Sequence, residues 1–512
     1  MQISPREHER FQKLQNQLKN HWITTDILDD DDQDILVIPS FSIDQRVGQK
    51  VAGFLHYEER LLFSLIRLRN PHTRLIYVTA QPLSPIIVDY YLQLLSGIPF
   101  SHARERLLLL TTYDASLKPL TQKILERPRL VNKIKNSLRP NKSYMVCFNS
   151  TVLEEKLSLE LNIPLLASSP DLTYWGSKSG SREIFSQCGI NHPDGSELVY
   201  SVDDLIREIS LLLTRKPRLN QVVIKLNEGF SGEGNAVLDV SGISHLFTEV
   251  IPLEYKEKLL LEIIAEAKVQ GQGETWQTFR ERIPELGVIV EEFIDGNEKY
   301  SPSVQGYITP NGEVEILSTH DQILDGKDQQ VYLGCRFPAR DEYRLQLQEL
   351  GLKIGGELAK KGAVERFGVD FLVVKENHQW IISAIEINLR KGGTTHPFMT
   401  LKLLTNGHYN YEDGLFYSVE QKPKYYIASD NLQKSQYQGL LPYDLMDIIA
   451  KHHLHFDSAT KTGTVFHLIG ALSEFGKVGL TSIGNSWEEA ESIYQNIEYI
   501  LDQETEKITS VF

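Results

Sequence analysis

At 512 residues the chain is too long for one ordinary hydrophobic core, so it should divide into several domains. Its hydrophobic content of 41% and charged content of 24% are those of an ordinary globular protein. A formal net charge of −15 argues against nucleic acid or an anionic membrane as a partner, although a local basic pocket could still hold a nucleotide.

Cys147, Cys188 and Cys335 lie far apart without a C-x-x-C pair. Neither a disulfide framework nor a structural zinc site is expected, and a reducing cytoplasm fits. Residues 1–10 are charged and lack an apolar h-region, so no secretory signal is read there. No apolar run approaches the ~20 residues that a membrane span needs.

In chain order, residues 7–20 read as a polar helical arm and the acidic run 29–32 as a solvated loop. Short apolar strands are expected at 34–39 (DILVIP), 75–79 (LIYVT), 107–111 (LLLLT) and 143–148 (SYMVCF). Helices are expected at 48–69, with Phe54, Leu55, Leu61, Leu62, Leu65 and Ile66 on the apolar side, and at 85–95. Such alternation predicts a parallel, doubly wound α/β sheet. Residues 118–142 hold many cations but no interleaved aromatics, and read as a solvated helical face.

A helix at 182–188 precedes the strand 222–226, which carries Lys225 in its middle. A Gly-rich turn with Gly229, Ser231, Gly232 and Gly234 leads into a returning strand. An acidic helix at 254–267 follows, then a strand at 287–292 that runs into a turn. Pro310-Asn311-Gly312 joins strands 303–309 and 314–318 as a hairpin. After a helix at 345–361, strands 368–374 and 380–388 make a second hairpin with Asn377-His378 at its tip. From about 409 onward, 463–473, 478–483 and a helix at 487–501 predict a small antiparallel unit that packs back on the core.

The chemistry centres on 385–397. Side chains two apart on a strand share a face, so Glu386 and Asn388 present two hard oxygen ligands together. Arg390 and Lys391 follow, then Gly392-Gly393-Thr394-Thr395, rich in backbone and hydroxyl donors. Oxygen ligands beside cations and amide donors suit Mg²⁺ with phosphates. A lysine in a buried-type strand, as Lys225 is, costs free energy unless it is paired, and a phosphate would pair it. No G-x-x-x-x-G-K-[ST] occurs, and no G-x-G-x-x-G, so neither a P-loop nor a dinucleotide fingerprint is present. His452, His453 and His455 fit no zinc spacing.

The ordered series Lys178, Lys225, Gly-rich flap, Glu291-Glu292-Phe293-Ile294, then Asp370, Glu386 and Asn388 resembles the ATP-grasp superfamily. It is similar above all to the pheganomycin-type peptide ligases, carboxylate–amine ligases with a domain ahead of the ATP-grasp. The motif match spans 168–406. The resemblance implies an α/β fold, α+β in its catalytic part: a doubly wound pre-ATP-grasp domain at 1–167, a two-lobed ATP-grasp domain at 168–408 and a C-terminal unit at 409–512. The nucleotide lobe would run over about 168–292 and the metal and substrate lobe over about 293–408.

It further implies residue roles. Lys178, Lys225, Gly229, Ser231, Gly232 and Gly234 would meet the phosphates. Glu291 would meet the adenine amino group, backbone at Glu292, Phe293 and Ile294 would read the adenine edge, and Glu298 would accept the ribose hydroxyls. Asp370, Glu386 and Asn388 would hold two Mg²⁺ ions, with Mn²⁺ as an alternative. Arg390, with Lys225, would stabilise the charge of phosphoryl transfer. His320, Lys391, Gly393, Thr394 and Thr395 would face the substrates, although 391–396 departs from the D-alanine–D-alanine ligase and biotin carboxylase versions of this loop.

The implied reaction joins a carboxylate to an amine through an acyl phosphate, with ADP and phosphate released. Amino acids or short peptides are the expected substrates, with no nucleic acid or membrane partner and with a homodimer open. Two rival readings remain: an ATP-binding regulatory module without catalysis, and an ATP-grasp carboxylase or phosphotransferase.

Overall fold

The apolar runs of the N-terminal third form a sheet in a computed structural model that describes residues 3–22, 32–42, 48, 50–230, 233–271, 273–325 and 331–509. Strands β1 (Asp34–Ile38), β2 (Arg74–Thr79), β3 (Leu107–Thr111), β4 (Ser143–Cys147) and β5 (Leu165–Leu166) are parallel, in the order β3-β2-β1-β4-β5. Every residue of β1 is buried, as befits a parallel strand covered on both faces. Residues 54–69 are helical, as a 3-10 helix (Phe54–Arg69) with Gly53 at its N-cap. This helix is wedged between units: Tyr77 Oη donates to the Glu58 carbonyl, and Gly470 N donates to the Glu59 carboxylate. The cationic stretch forms two helices, Leu120–Leu125 and Pro128–Ser137. Lys123 departs from the solvated reading: it is fully buried and donates to Asp114 O at 2.8 Å.

The strand order reverses between β1 and β4. Such a switch point opens a crevice at the carboxyl ends of the strands, where α/β sheets bind ligands. Here Ser42 N donates to Asn149 Oδ1 (2.9 Å) and Ser42 Oγ to Glu154 Oε1 (2.7 Å) across the crevice. Beside it, Lys391 N donates to Phe148 O (3.2 Å), so the loop carrying Lys391 lies against this edge.

A second, antiparallel sheet has the order β8-β7-β6-β9, with β6 Gln221–Phe230, β7 Glu233–Asp239, β8 Lys268–Val269 and β9 Val288–Glu292. It packs on the helices Val202–Arg215 and Leu253–Ile263 through Leu205, Ile209, Val222, Ile224 and Leu260.

The third sheet has 11 strands. Its first part comprises β10 (Lys299–Tyr300), β11 (Pro302–Ile308), β12 (Val314–Asp325), β13 (Val331–Phe337), β14 (Glu365–Glu376) and β15 (Gln379–Asn388). Both expected hairpins form. Gly312 has φ 87° in one turn, and Asn377 (φ 46°) and His378 (φ 68°) are both left-handed in the other, as a two-residue hairpin needs. The helix Arg344–Lys360 covers one face through Ile354 and Leu358 against Val304, Phe367 and Val369.

The 409–512 segment is antiparallel as expected, but it does not form a sheet of its own. β16 (His408–Asn410), β17 (Leu415–Tyr417), β18 (Pro423–Gln433), β19 (Gly463–His467) and β20 (Lys477–Gly484) continue the third sheet, because β18 pairs with β13. No helix among the described residues is long and apolar enough to cross a membrane.

Candidate active site

The β14–β15 hairpin places its acids by register. Asp370 pairs with Glu386 and Gly368 with Asn388, so Asp370, Glu386 and Asn388 share one face of the sheet. The carboxylate of Asp370 accepts from Gln322 Nε2 (2.7 Å) and Asn388 Nδ2 (2.8 Å). Arg390 Nη2 donates to Asn388 Oδ1 at 2.8 Å. Burial, together with the facing Glu386 carboxylate, pushes Asp370 up to about 7.

Two carboxylates forced together beside an amide oxygen are a hard donor set that a divalent cation would relieve, so these residues fit Mg²⁺. Among the described residues no group of three or more His, Cys, Asp or Glu gathers as a metal site. The third donor here is the amide of Asn388.

The cations come from two other elements. Lys178 is the first residue of the helix Lys178–Gln187, capped by Ser177, whose Oγ accepts from Gly180 N (3.2 Å). That helix is pinned at both ends of the site: Ser179 N donates to Asn227 Oδ1 (2.9 Å) on β6, and Ser181 Oγ accepts from Ile387 N (2.9 Å) on β15. Lys178 Nζ thereby reaches Glu386 Oε1 at 2.9 Å, while its side chain is buried. A helix N-terminus and a lysine favour a bound anion.

Lys225 belongs to the second sheet. Val223 is opposite Glu291, and Lys225 lies two residues on, on the same face. Lys225 Nζ is 2.5 Å from Glu291 Oε2, and Arg182 Nη1 is 2.9 Å from Glu291 Oε1. Burial alone would raise this carboxyl; Lys225 and Arg182 instead hold it below the usual range. Glu291 is therefore engaged by two cations in this structure.

Residues 293–298 connect the second sheet to the third. Glu292 turns to the other face, where it accepts from Asp194 N (2.9 Å) and pairs with Lys216 (2.8 Å). Phe293 lies under Lys299, whose Nζ is 4.6 Å from the ring centroid and donates to Ile294 O at 3.0 Å. Glu298 is half exposed and paired with Lys375 at 3.0 Å. Gly229 and Gly234 lie in β6 and β7, Gly234 at φ 92°; Ser231 and Gly232 fall outside the described residues, as do residues 29–31 of the acidic run.

The expected substrate residues part company. His320 is a correction: it is fully buried, its Nε2 is 2.5 Å from Tyr426 Oη, and Phe337 and Tyr426 flank its ring. Burial lowers it to about 3, so it is a neutral core histidine. Lys391 is buried, and its Nζ is 2.9 Å from Glu365 Oε1. Thr394 and Thr395 are buried at the start of the helix Thr395–Thr405, with Thr395 Oγ1 accepting from Gly392 N (3.0 Å). Gly393 is the closest approach to a side chain in the loop, since a Cβ there would lie 3.0 Å from the Tyr332 ring.

Arg182 and Gln322 were not singled out from the sequence. Arg182 stands four residues after Lys178, a spacing that puts both on one helix face. Gln322 gave no comparable signal.

Residues 171–412 match a family model described as "IQCH-like, ATP-grasp", and 444–497 match one described as "PGM1 C-terminal domain". The chain is 29% identical over 470 residues to L-propargylglycine–L-glutamate ligase of Streptantibioticus cattleyicolor, covering 89% of this chain and 91% of that protein. It is 22% identical, over 73% of its length, to IQ motif-containing protein H of Danio rerio, of which it spans 39%. Among solved structures, the ADP complex of N5-carboxyaminoimidazole ribonucleotide synthetase superposes with a TM-score of 0.52 at 12% identity, covering 93% of this chain and 98% of that one. The biotin carboxylase domain dimer of Hydrogenobacter thermophilus 2-oxoglutarate carboxylase, solved with MgADP, gives 0.52 at 13%, covering 90% and 87%.

Proposed function

We propose that this chain, whose residues 171–412 match an ATP-grasp model and which is similar to an amino-acid ligase, joins a carboxylate to an amine at the expense of ATP, releasing ADP and phosphate. The observation that carries the reading is the meeting of Asp370, Glu386 and Asn388 on paired strands with Lys178 on Glu386. The named ligase relative, which acts on two amino acids by its name, supports amino acids as substrates.

In this reading a substrate carboxylate attacks the γ-phosphate and forms an acyl phosphate. The amine then attacks the acyl carbon, the tetrahedral intermediate loses phosphate, and the amine nitrogen gives up its proton. Lys178, Lys225 and Arg390 neutralise charge as it shifts between phosphate and carboxylate oxygens, so catalysis rests on positioning and electrostatics. Asp370, Glu386 and Asn388 would hold Mg²⁺, which when bound supplies charge neutralisation at the phosphate oxygens. The β6–β7 hairpin would cover the phosphates and keep water from the acyl phosphate. Glu291 to Ile294 and Glu298 would take the adenosine.

The same reading takes two Mg²⁺ ions with Mn²⁺ able to replace them, a cytoplasmic setting, a homodimer, and the division 1–167, 168–408 and 409–512. It is tested by ADP release over pairs of amino acids, with mass spectrometry of the product. An amide lacks one water relative to its precursors, whereas a phosphotransferase product gains a phosphoryl group. ADP release with only phosphorylated product would overturn the ligase assignment.

A further inference from the structure

Behind the loop that follows Arg390 lies a buried charged cluster that none of these roles uses. Arg60, from the helix Phe54–Arg69, forms an ion pair with Asp430 of β18. The other Asp430 oxygen is 2.6 Å from His467 Nε2, at the end of β19. His396 Nδ1 lies 3.0 Å from the Arg60 carbonyl, and the His396 and His467 rings are 4.1 Å apart between centroids. Asp430, His467 and His396 are all buried. The cluster thus joins the N-terminal unit, the substrate loop and the C-terminal strands.

Its composition is not that of a closed structural bridge. The Arg60 guanidinium can donate five hydrogen bonds, yet among the described residues its one side-chain acceptor is Asp430 and its buried Nε has no hydrogen-bond partner. A buried donor without an acceptor costs free energy, which an acceptor oxygen from a water or a ligand would relieve. The guanidinium is stacked over Tyr57 (4.1 Å) and reaches over Phe148 (5.8 Å), which fixes its plane. Phe148 is the residue whose carbonyl receives Lys391 N, so Arg60 stands next to the loop after Arg390. Asp430 stays ionised, because Arg60 and His467 outweigh its burial.

A site holding one guanidinium and one carboxylate is close to neutral. A doubly charged phosphate would meet Asp430 unfavourably, whereas a carboxylate from a zwitterion matches both charges.

We propose that Arg60 binds a carboxylate of an amino-acid substrate that the reaction does not consume, and that Asp430 and His467 hold its guanidinium in place. The proposal rests on the ligase reading and names its substrate class. That carboxylate could belong to the amine substrate, or be a second carboxylate on the substrate that is phosphorylated.

The test is calorimetric binding of each standard amino acid, and of its carboxamides, to the full-length protein saturated with Mg²⁺ and a non-hydrolysable ATP analogue. For the amino acid that binds, amidation of the held carboxylate should weaken wild-type binding by about 10- to 100-fold, the worth of one charge-assisted bidentate contact. In Arg60→Ala the acid and its amide should bind alike, and Arg60→Lys should restore only part of the difference. Asp430→Asn should weaken the acid more than the amide. Nucleotide binding by each variant checks that the fold persists. Amidating the two substrates of an active pair in turn shows which of them Arg60 holds.

No amino acid binding to the wild type would overturn the proposal, and so would full acid-over-amide discrimination in Arg60→Ala. Equal loss of acid and amide in Arg60→Ala would also overturn it, by reducing the pair to a structural bridge. ADP release with other carboxylates and amines would in that case leave the ligase reading standing, whereas no ADP release with any pair would count against the ligase reading itself.

Discussion

Lys225→Met separates two roles that the structure gives one lysine. Lys225 Nζ is 2.5 Å from Glu291 Oε2, and Glu291 is 2% exposed. Removing one partner of a buried ion pair leaves the other uncompensated, at a cost of about 3–5 kcal/mol when nothing else holds it. Arg182 remains 2.9 Å from the other oxygen, so the cost falls toward the 1–3 kcal/mol range, about 2 kcal/mol, of one unsatisfied charged group. The sign follows from Glu291 being held below its ordinary value: the pair's contribution is present above the unfolded pKa and fades as pH falls through the lower folded one. The variant should therefore approach wild type in acid. Native-state hydrogen exchange of β6 and β9 amides reads this locally, without assuming that three sheets unfold in one step. Glu291→Gln in the same background should recover about 1–2 kcal/mol, since it removes the stranded charge. Calorimetry should show MgATP affinity lower by at least about 10-fold in Lys225→Met. Additive single-variant costs would refute the pairing argument, and unchanged MgATP affinity would refute the phosphate role.

Asp370→Asn and Glu386→Gln should each cut ADP formation at saturating Mg²⁺ by at least about 100-fold, with thermal melting near wild type; full turnover by either removes the metal assignment. Because Asp370 stands near 7 when no cation is present, protons compete for it below that value. Mg²⁺ affinity, read by titration calorimetry, should rise from pH 6 to pH 8 in the wild type and stay flat in Asp370→Asn; a flat wild-type profile sinks the point. Gly180→Ala would set a Cβ 2.0 Å from Tyr174 O, displacing the first turn that aims Lys178. It should cost about 1–3 kcal/mol and weaken MgATP binding, and wild-type affinity in a normally folded Gly180→Ala would show that the turn tolerates the shift.

The parts of the site that were legible in the sequence are those whose signal is local. A Glu-x-Asn at the end of a β-branched strand needs only the alternation of side chains, and Asn377-His378 marks its own turn. Lys225 was legible because a lysine in an apolar strand demands a partner. What escaped depends on distant pairing. β18 carries polar residues through its length and pairs with β13 some ninety positions earlier, so nothing nearby announces that the C-terminal strands extend the third sheet. His320 misled for the same reason: its neighbours Phe337 and Tyr426 come from other strands, and only their packing shows that it is sealed in the core. Glu365, which takes up Lys391, stands well upstream on β14 and was equally silent.

The irregularities of the sheets have a common logic. Register shifts occur between Asp370 and Phe371 on β14, between Ile323 and Leu324 on β12, between Lys225 and Phe230 on β6, and between Ser429 and Leu432 on β18. A bulge re-aims side chains without ending the strand. Each of these lies at or next to a residue for which a role is proposed: Asp370, its partner Gln322, Lys225 and Asp430. The shift between Gln305 and Gly306 differs, for there the ring of Phe367 fills the space a side chain would need. A regular ladder would have turned successive residues strictly in and out, and Asp430 could not leave the ladder to meet both Arg60 and His467. The C-terminal strands are therefore tied to the rest of the chain twice, by β13–β18 pairing and by a bulge that sends a carboxylate toward the N-terminal unit.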